Sequence, residues 1–116
     1  MQLEAAKLLV DIDDAGKAIQ SYLQHKVKSD FLQDRMLRSA VEREFIVIGE
    51  AMSQLRQRAG NTARRITHAD KIVAFRHRLV HGYSMVVDDV VWDIIQVDLP
   101  ALLHEVAELL KEQQSA

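Results

Sequence analysis

The residues best suited to chemistry in this sequence are concentrated in the ten-residue stretch AFRHRLVHGY. Arg76, His77 and Arg78 stand side by side, and His81 and Tyr83 follow on either side of a glycine. Histidine exchanges protons near neutral pH, and arginine carries a permanent charge shaped for two phosphate oxygens. Cleaving an RNA phosphodiester without a metal needs both functions. Arg76 and His81 are therefore the candidate catalytic residues, with His77 and Arg78 as supporting residues.

Two other interpretations of the same stretch remain open. His77 and His81 are four residues apart, so on one helix they would share a side and could share a metal ion. A zinc site usually has a third protein ligand, and Arg78 would repel a cation, so we predict no metal and no cofactor. In the purely structural interpretation, His81 stabilises the carboxyl end of a helix, and Arg76 pairs with Asp89 or another acid of the last helix.

Charge is distributed unevenly along the chain. Residues 56–83 contain seven basic side chains and one acid, which gives +6, whereas residues 84–116 contain one lysine and seven acids, which gives −6. A local positive excess is typical of a surface that binds a polyanion, so Arg64, Arg65 and Lys71 are predicted to bind RNA. Composition leaves equally open that the basic segment packs against the acidic one.

Composition limits the fold class. The 116 residues are enough for one domain spanning 1–116, and they include one proline, four glycines and no cysteine. This composition favours an all-α protein and excludes disulfides and cysteine nucleophiles. Acidic residues interrupt the first apolar stretch, so we expect neither a signal peptide nor a membrane partner, and we predict a cytoplasmic protein.

Apolar residues recur at steps of three and four in four segments, which predicts an antiparallel bundle of four to five helices. The segments are expected at 2–26, at 29–58 with Asp30 opening a capping box, from 67 to a stop at Gly82, and beyond 88–89. Pro100 is expected to kink or break the last one. Residues 84–91 have strand propensity but no partner strand, so they are predicted to form a loop followed by a helix.

Apolar positions expected to face the core include Met36 on the second segment and Val80 on the third. A chain of this length has a thin core, and the long apolar stripes leave surface to be covered. We therefore expect a homodimer.

The motif R-x4-H-x-Y is matched by Arg76, His81 and Tyr83, and the segments around it are equally characteristic. AVEREFIVIGEA precedes the motif, and VDDVVWDI and DLPALL follow it. With these segments the chain resembles, over nearly its whole length, the HepT family. This family is the toxin half of HepT–MntA-type toxin–antitoxin systems within the HEPN superfamily.

The resemblance implies a HEPN-like helical homodimer that acts as a metal-independent endoribonuclease toxin, with Arg76 and His81 in an active site composed across the dimer. It also implies an MntA-like nucleotidyltransferase antitoxin that silences the toxin by adding AMP to Tyr83. His77 occupies a position where relatives often have asparagine, which would tune the site rather than abolish it. Glu50 is expected to contact the motif helix.

Two alternatives belong to other functional classes. A non-catalytic helical module could serve as the substrate-binding or regulatory partner of a minimal nucleotidyltransferase, and it would not need both Arg76 and His81. A purely structural dimerisation domain would leave Tyr83 unexplained.

Overall fold

The structure, a computed structural model, describes residues 3–115, apart from the side chains of residues 83, 114 and 115. This part of the chain is helical and contains no strand, which confirms the all-α prediction. None of its helices is long and apolar enough to cross a membrane. The helices are α1 (Leu3–Tyr22), α2 (Lys28–Gln33), α3 (Arg35–Arg58), α4 (Gly60–Ala63), α5 (Ala69–His81), α6 (Asp88–Asp93) and α7 (Leu99–Ser115).

The core lies where α1 packs against both α3 and α7, and α3 packs in turn against α5. Leu9 and Ile12 of α1, Ile48 and Met52 of α3, and Val106 of α7 are fully buried there. Their three- and four-residue spacing gives each helix one apolar stripe, which the neighbouring helix removes from water. The bundle measures 45 × 30 × 19 Å, and its shortest dimension corresponds to about two helix layers.

The predicted second helix is wrong in one respect, because it consists of two helices. Asp34 has extended backbone angles, φ −108° and ψ 99°, and its carboxylate accepts a hydrogen bond from the N–H of Leu37 at 3.1 Å. Asp34 is thus the N-cap of α3, a position that aspartate favours. The guanidinium of Arg38 donates to the carbonyl of Leu32 at 2.6 Å and so binds the end of α2.

Asp30 also has a different role from the one predicted. Its carboxylate accepts a hydrogen bond from the N–H of Val27 at 2.8 Å, so it occupies the third position of α2 rather than opening the helix. The first helix is shorter than expected, since α1 ends at Tyr22 and His25 adopts a left-handed φ of 65°. A left-handed residue shortly after a helix is a common way to end it.

The last segment begins at Asp88, slightly earlier than the predicted start beyond 88–89, and follows a 3₁₀ turn at Tyr83–Met85 and two residues outside helices. Pro100 does not end the last helical segment, but the hydrogen bonding just before it is not that of a regular α-helix. Residues Ile94–Asp98 form a π turn, in which the N–H of Leu99 donates to the carbonyl of Ile94. A π turn is wider than an α turn, so it gives the proline ring room just inside α7, where proline is tolerated.

Among the expected core positions, one on α3 and one on α5 lie at the surface. Met36 is 80% exposed, and Val80 is 39% exposed. Met36 is in the first turn of α3, near the break at Asp34. Val80 is in the last turn of α5, a helix of which only Leu79 is buried.

Candidate functional site

Helix α5 carries the motif and is held mainly by α3 and by the 3₁₀ turn that follows it. Of its thirteen residues, all described, only Leu79 is buried. Phe75 is half-buried and meets Phe45 of α3 edge to face, with ring centroids 5.2 Å apart. The packing side of α5 is therefore apolar and faces α3, while its other side is open to solvent.

The helix ends where the sequence predicted, at His81 followed by Gly82. The N–H of Gly82 donates to the carbonyl of Arg78 at 2.8 Å. Its φ is −132°, so this stop does not use the left-handed conformation that favours glycine.

Arg76 lies against the backbone of α3 at Gly49. A Cβ placed on Gly49 would be 2.1 Å from the Cβ of Arg76 and 2.6 Å from its Cγ, so a larger residue at position 49 would force the two helices to shift. Glycine at position 49 therefore allows the base of the Arg76 side chain to rest on the backbone of α3. Gly49 belongs to the GEA sequence of α3, but its spacing alone did not indicate this role.

The guanidinium of Arg76 is held by one acid. Its Nη2 is 3.2 Å from Oε2 of Glu50, and the two side chains are 31% and 50% exposed. The Nε atom of Arg76 is buried and has no hydrogen-bond partner among the described residues. Glu50 thus contacts the motif helix, as expected, and the partner of Arg76 is on α3 rather than on the last helix.

His77 and His81 lie together on the solvent side of α5. Their ring centroids are 4.7 Å apart, with the ring planes at 49°, and both residues are exposed, as is Arg78. Arg76 and His81 are five residues apart, about 140° around the helix, and within residues 3–115 no hydrogen bond joins them. One copy of the chain therefore directs Arg76 toward α3 and the imidazole of His81 toward solvent.

Tyr83 opens the 3₁₀ turn two residues beyond His81. Its side chain lies outside the described residues, so the predicted presentation of its hydroxyl stays a prediction.

The predicted RNA-binding residues lie near the opposite end of α5. Arg64 and Arg65 precede the helix, and Lys71 is in its first turn, about 15 Å along the axis from His81. Arg65 forms an ion pair with Glu112 of α7 at 2.5 Å, and its hydrogen bond lowers the pKa of the Glu112 carboxyl. Arg64 bonds to Asn61, whereas Lys71 is exposed.

A groove of about 390 Å³ lies between α1, α3 and α5 and is bordered by Arg76. Lys7, Arg43, Glu50 and Gln54 also line it. Arg43 was not predicted from the sequence, because it lies two helical turns before Glu50 and shares a groove with Arg76 only through the packing of α3 on α5. Among the described residues, no group of three or more histidines or carboxylates is arranged to hold a metal ion.

Comparison with known proteins gives a consistent set of relatives. A family model described as ribonuclease HepT-like matches residues 12–109. A Methanocaldococcus jannaschii chain with a provisional RNase name is 28% identical over 104 residues, which are 90% of this chain and 85% of that one. A Thermococcus cleftensis protein provisionally named ribonuclease HepT is 29% identical over 107 residues, 89% of this chain and 93% of its own. No solved structure matches significantly.

Proposed function

Because this chain belongs to the HepT-like ribonuclease family and is an RNA endonuclease, we propose that it cuts RNA with Arg76 and His81 of two copies of α5. The observation that carries the proposal is the position of these two residues on one exposed helix. The imidazole of His81 is open to solvent, while the guanidinium of Arg76 is held against α3. A proton-transfer group and a fixed cation are the two requirements of metal-independent cleavage.

The proposed reaction uses the substrate's own 2′-hydroxyl. The imidazole of His81 accepts the 2′-hydroxyl proton while the 2′ oxygen bonds to phosphorus and the bond to the 5′ oxygen breaks. A protonated imidazole, supplied by His81 of the second copy, donates a proton to the leaving 5′ oxygen. The products are a 2′,3′-cyclic phosphate and a 5′-hydroxyl.

Arg76 would stabilise the negative charge that develops on the phosphate oxygens. Its guanidinium makes one ion pair with Glu50, which leaves other N–H groups for the phosphate. His77 and Arg78 lie on the exposed side of the same helix and would contact the flanking RNA.

A homodimer would complete this site. One side of α5 packs on α3, whereas Lys71 and Ala74 are exposed on the other. A two-fold axis beside α5 would place two copies of this surface opposite each other, so that Arg76 of each copy stands near His81 of the other. The 140° separation of the two residues in one copy is a reason for the site to need two copies.

The decisive experiment is cleavage of single-stranded RNA by purified protein in EDTA, with analysis of the product ends. Cyclic phosphate ends, and loss of cleavage in both Arg76→Ala and His81→Ala, would support the proposal. Full activity of His81→Ala would overturn it. Cleavage by neither the wild type nor any variant would favour the non-catalytic partner of a nucleotidyltransferase. Light scattering of the same samples at micromolar concentration must show a dimer.

Regulation by an MntA-like antitoxin is the second part of the proposal, and it rests on the family resemblance and on the position of Tyr83. An AMP group attached two residues beyond His81 would bring a phosphate and a nucleoside into a site meant for RNA. Co-expression with the nucleotidyltransferase should add AMP to wild-type protein and stop cleavage, whereas Tyr83→Phe should stay active. AMP found on Tyr22 instead would remove Tyr83 from the site.

A further inference from the structure

His77 is the residue of the motif stretch to which the proposed reaction gives no necessary role. Its ring stands beside that of His81, with centroids 4.7 Å apart, and both side chains are exposed. Two imidazoles on adjacent turns of a rigid helix form a bidentate arrangement that needs no change of backbone to be used.

The centroid spacing of the two rings is compatible with two imidazoles that bind one metal ion. A bond of about 2.0–2.1 Å from metal to nitrogen places the ion roughly 3.2 Å from each ring centroid. Two such rings at coordination angles of roughly 90–110° then have centroids about 4.5–5.2 Å apart. The observed 4.7 Å lies within this interval.

The groups around the two histidines both attract and repel a metal cation. His81 is the last residue of α5, where carbonyl groups without helical partners give the helix end a partial negative charge that favours a cation. Arg78 opposes a cation, but its side chain is exposed and can move away. The charge of Arg76 is offset by Glu50 and faces α3. Imidazole nitrogen suits zinc, nickel and copper rather than magnesium or calcium.

We propose that His77 and His81 form a binding site for a divalent transition metal such as Zn²⁺, and that the bound ion inhibits RNA cleavage. The ion takes the nitrogen lone pair that His81 would use to accept a proton, so the metal-bound enzyme lacks its base. Water or a second copy of the chain fills the remaining coordination positions. Inhibition rests on the proposed function, whereas metal binding does not.

The binding half is tested by calorimetric titration of untagged protein with ZnCl₂ and, separately, NiCl₂. Wild type should bind one ion per pair of histidines. His77→Ala and His81→Ala should each weaken binding at least about tenfold, because loss of a ligand costs no less than loss of its supporting contacts. His104→Ala removes an exposed histidine on α7 and should bind as wild type does. Unchanged binding by His77→Ala would overturn the site.

The inhibition half is tested by RNA cleavage with increasing Zn²⁺. In wild type and in His104→Ala, the inhibitory concentration should follow the dissociation constant, and EDTA should restore cleavage. In His77→Ala, inhibition of whatever activity remains should require at least about tenfold more Zn²⁺. Full wild-type cleavage at saturating Zn²⁺ would overturn the inhibitory role. If wild type did not cleave in EDTA, the proposed function would fail, and the titration would still decide whether the metal site exists.

Discussion

Two helix contacts in this molecule are made close by a glycine, and they differ in what the glycine faces. At the contact of α1 with α7, a Cβ on Gly16 would lie 2.5 Å from the tip of the Leu103 side chain. At the contact of α3 with α5, a Cβ on Gly49 would lie 2.1 Å from the Cβ of Arg76, next to the backbone. The tip of a leucine can rotate away, but the base of Arg76 moves only with α5 itself.

The helices on either side of these contacts differ in the same way. α1 buries eight residues, whereas α5 buries only Leu79 along its fully described length. The α1 side of the molecule therefore contributes most to stability. Helix α5 contributes less and instead presents polar side chains to solvent. This division predicts that the two regions fail differently when mutated.

The largest effects are expected from variants of the site and of the core: the first should lower the cleavage rate, and the second should lower the unfolding free energy. Arg76→Ala and His81→Ala should lower the cleavage rate by about 100-fold or more, with little change in the melting temperature for His81→Ala, since His81 is exposed. Ile12→Ala removes a fully buried side chain and should cost about 2–5 kcal/mol of unfolding free energy. Below its melting temperature it should still cleave RNA at a near wild-type rate.

These variants are compared by denaturant unfolding and by initial cleavage rates on the same samples. A stable Ile12→Ala protein that had lost cleavage would contradict the division between the two regions. So would a His81→Ala protein that unfolded as readily as Ile12→Ala.

The two glycines provide the next test. Gly49→Ala should destabilise the protein by about 1–3 kcal/mol, because the methyl group forces α5 away from α3, and it should also lower the cleavage rate by moving Arg76. Gly16→Ala should cost less, since Leu103 can change rotamer, and it should leave the rate per folded molecule unchanged.

Gly60→Ala is the control for the glycines. A Cβ there would have only Arg64 within reach, at 3.7 Å, which is an ordinary contact. Its unfolding free energy should stay near that of wild type or rise slightly, because alanine favours helix over glycine. Equal losses in Gly49→Ala and Gly60→Ala would indicate a general effect of replacing glycine rather than a close approach at Arg76.

Much of the fold follows from residue periodicity, and the parts that do not have local physical causes. The apolar stripes of α1, α3 and α7 predicted most of the buried residues, because one side of each helix faces the core, but not the exposed positions in the first turns of α1 and α3, Leu3 and Met36. The break at Asp34 was missed because a single side-chain hydrogen bond begins a new helix, α3, within a continuous apolar pattern. The π turn at Ile94–Asp98 was missed because its wider hydrogen bonding leaves the same residues facing inward.

The site divides in a similar way. Spacing alone placed His77 and His81 on one side of a helix and separated Arg76 from His81. The position of α5 along the axis of α3 determines two other features of the site. These are the contact of Arg76 with Gly49 and the presence of Arg43 in the neighbouring groove. No local pattern specifies that register, because it results from the combined packing of several side chains.

Glu50 allows a finer test of how α5 is positioned. The Glu50–Arg76 ion pair is half-exposed, so Glu50→Gln should change the unfolding free energy by only about 0.2–1 kcal/mol. If Glu50 positions Arg76 for the transition state, kcat should fall while KM changes little. Asp11→Asn replaces another carboxylate of the same groove, one that pairs with Lys7 rather than with Arg76, so it is the matched control and should leave kcat unchanged. A fall of kcat in both variants would indicate a general disturbance of the groove.

The smallest effect on stability is expected from the ion pair between Arg65 of the basic segment and Glu112 of α7. Arg65 lowers the pKa of the Glu112 carboxyl in the folded protein, so this pair stabilises the fold above the pKa that Glu112 has when unfolded. The contribution is lost as the pH falls through the lowered folded pKa. Arg65→Ala and Glu112→Gln should therefore be slightly less stable than wild type near neutral pH, and the difference should shrink in acid. Thermal unfolding at neutral and acidic pH measures it.

The same two variants separate a structural role of Arg65 from RNA binding. Both break the ion pair, but only Arg65→Ala removes a positive charge from the predicted RNA surface. If Arg65 contacts a phosphate, Arg65→Ala should reduce the slope of log affinity against log salt by about one unit. Glu112→Gln frees the guanidinium and should keep or strengthen RNA binding. Equal salt slopes in Arg65→Ala and wild type would assign Arg65 to holding α7, and Lys71 of α5, exposed and nearer the motif, would then be the residue of this segment to test next.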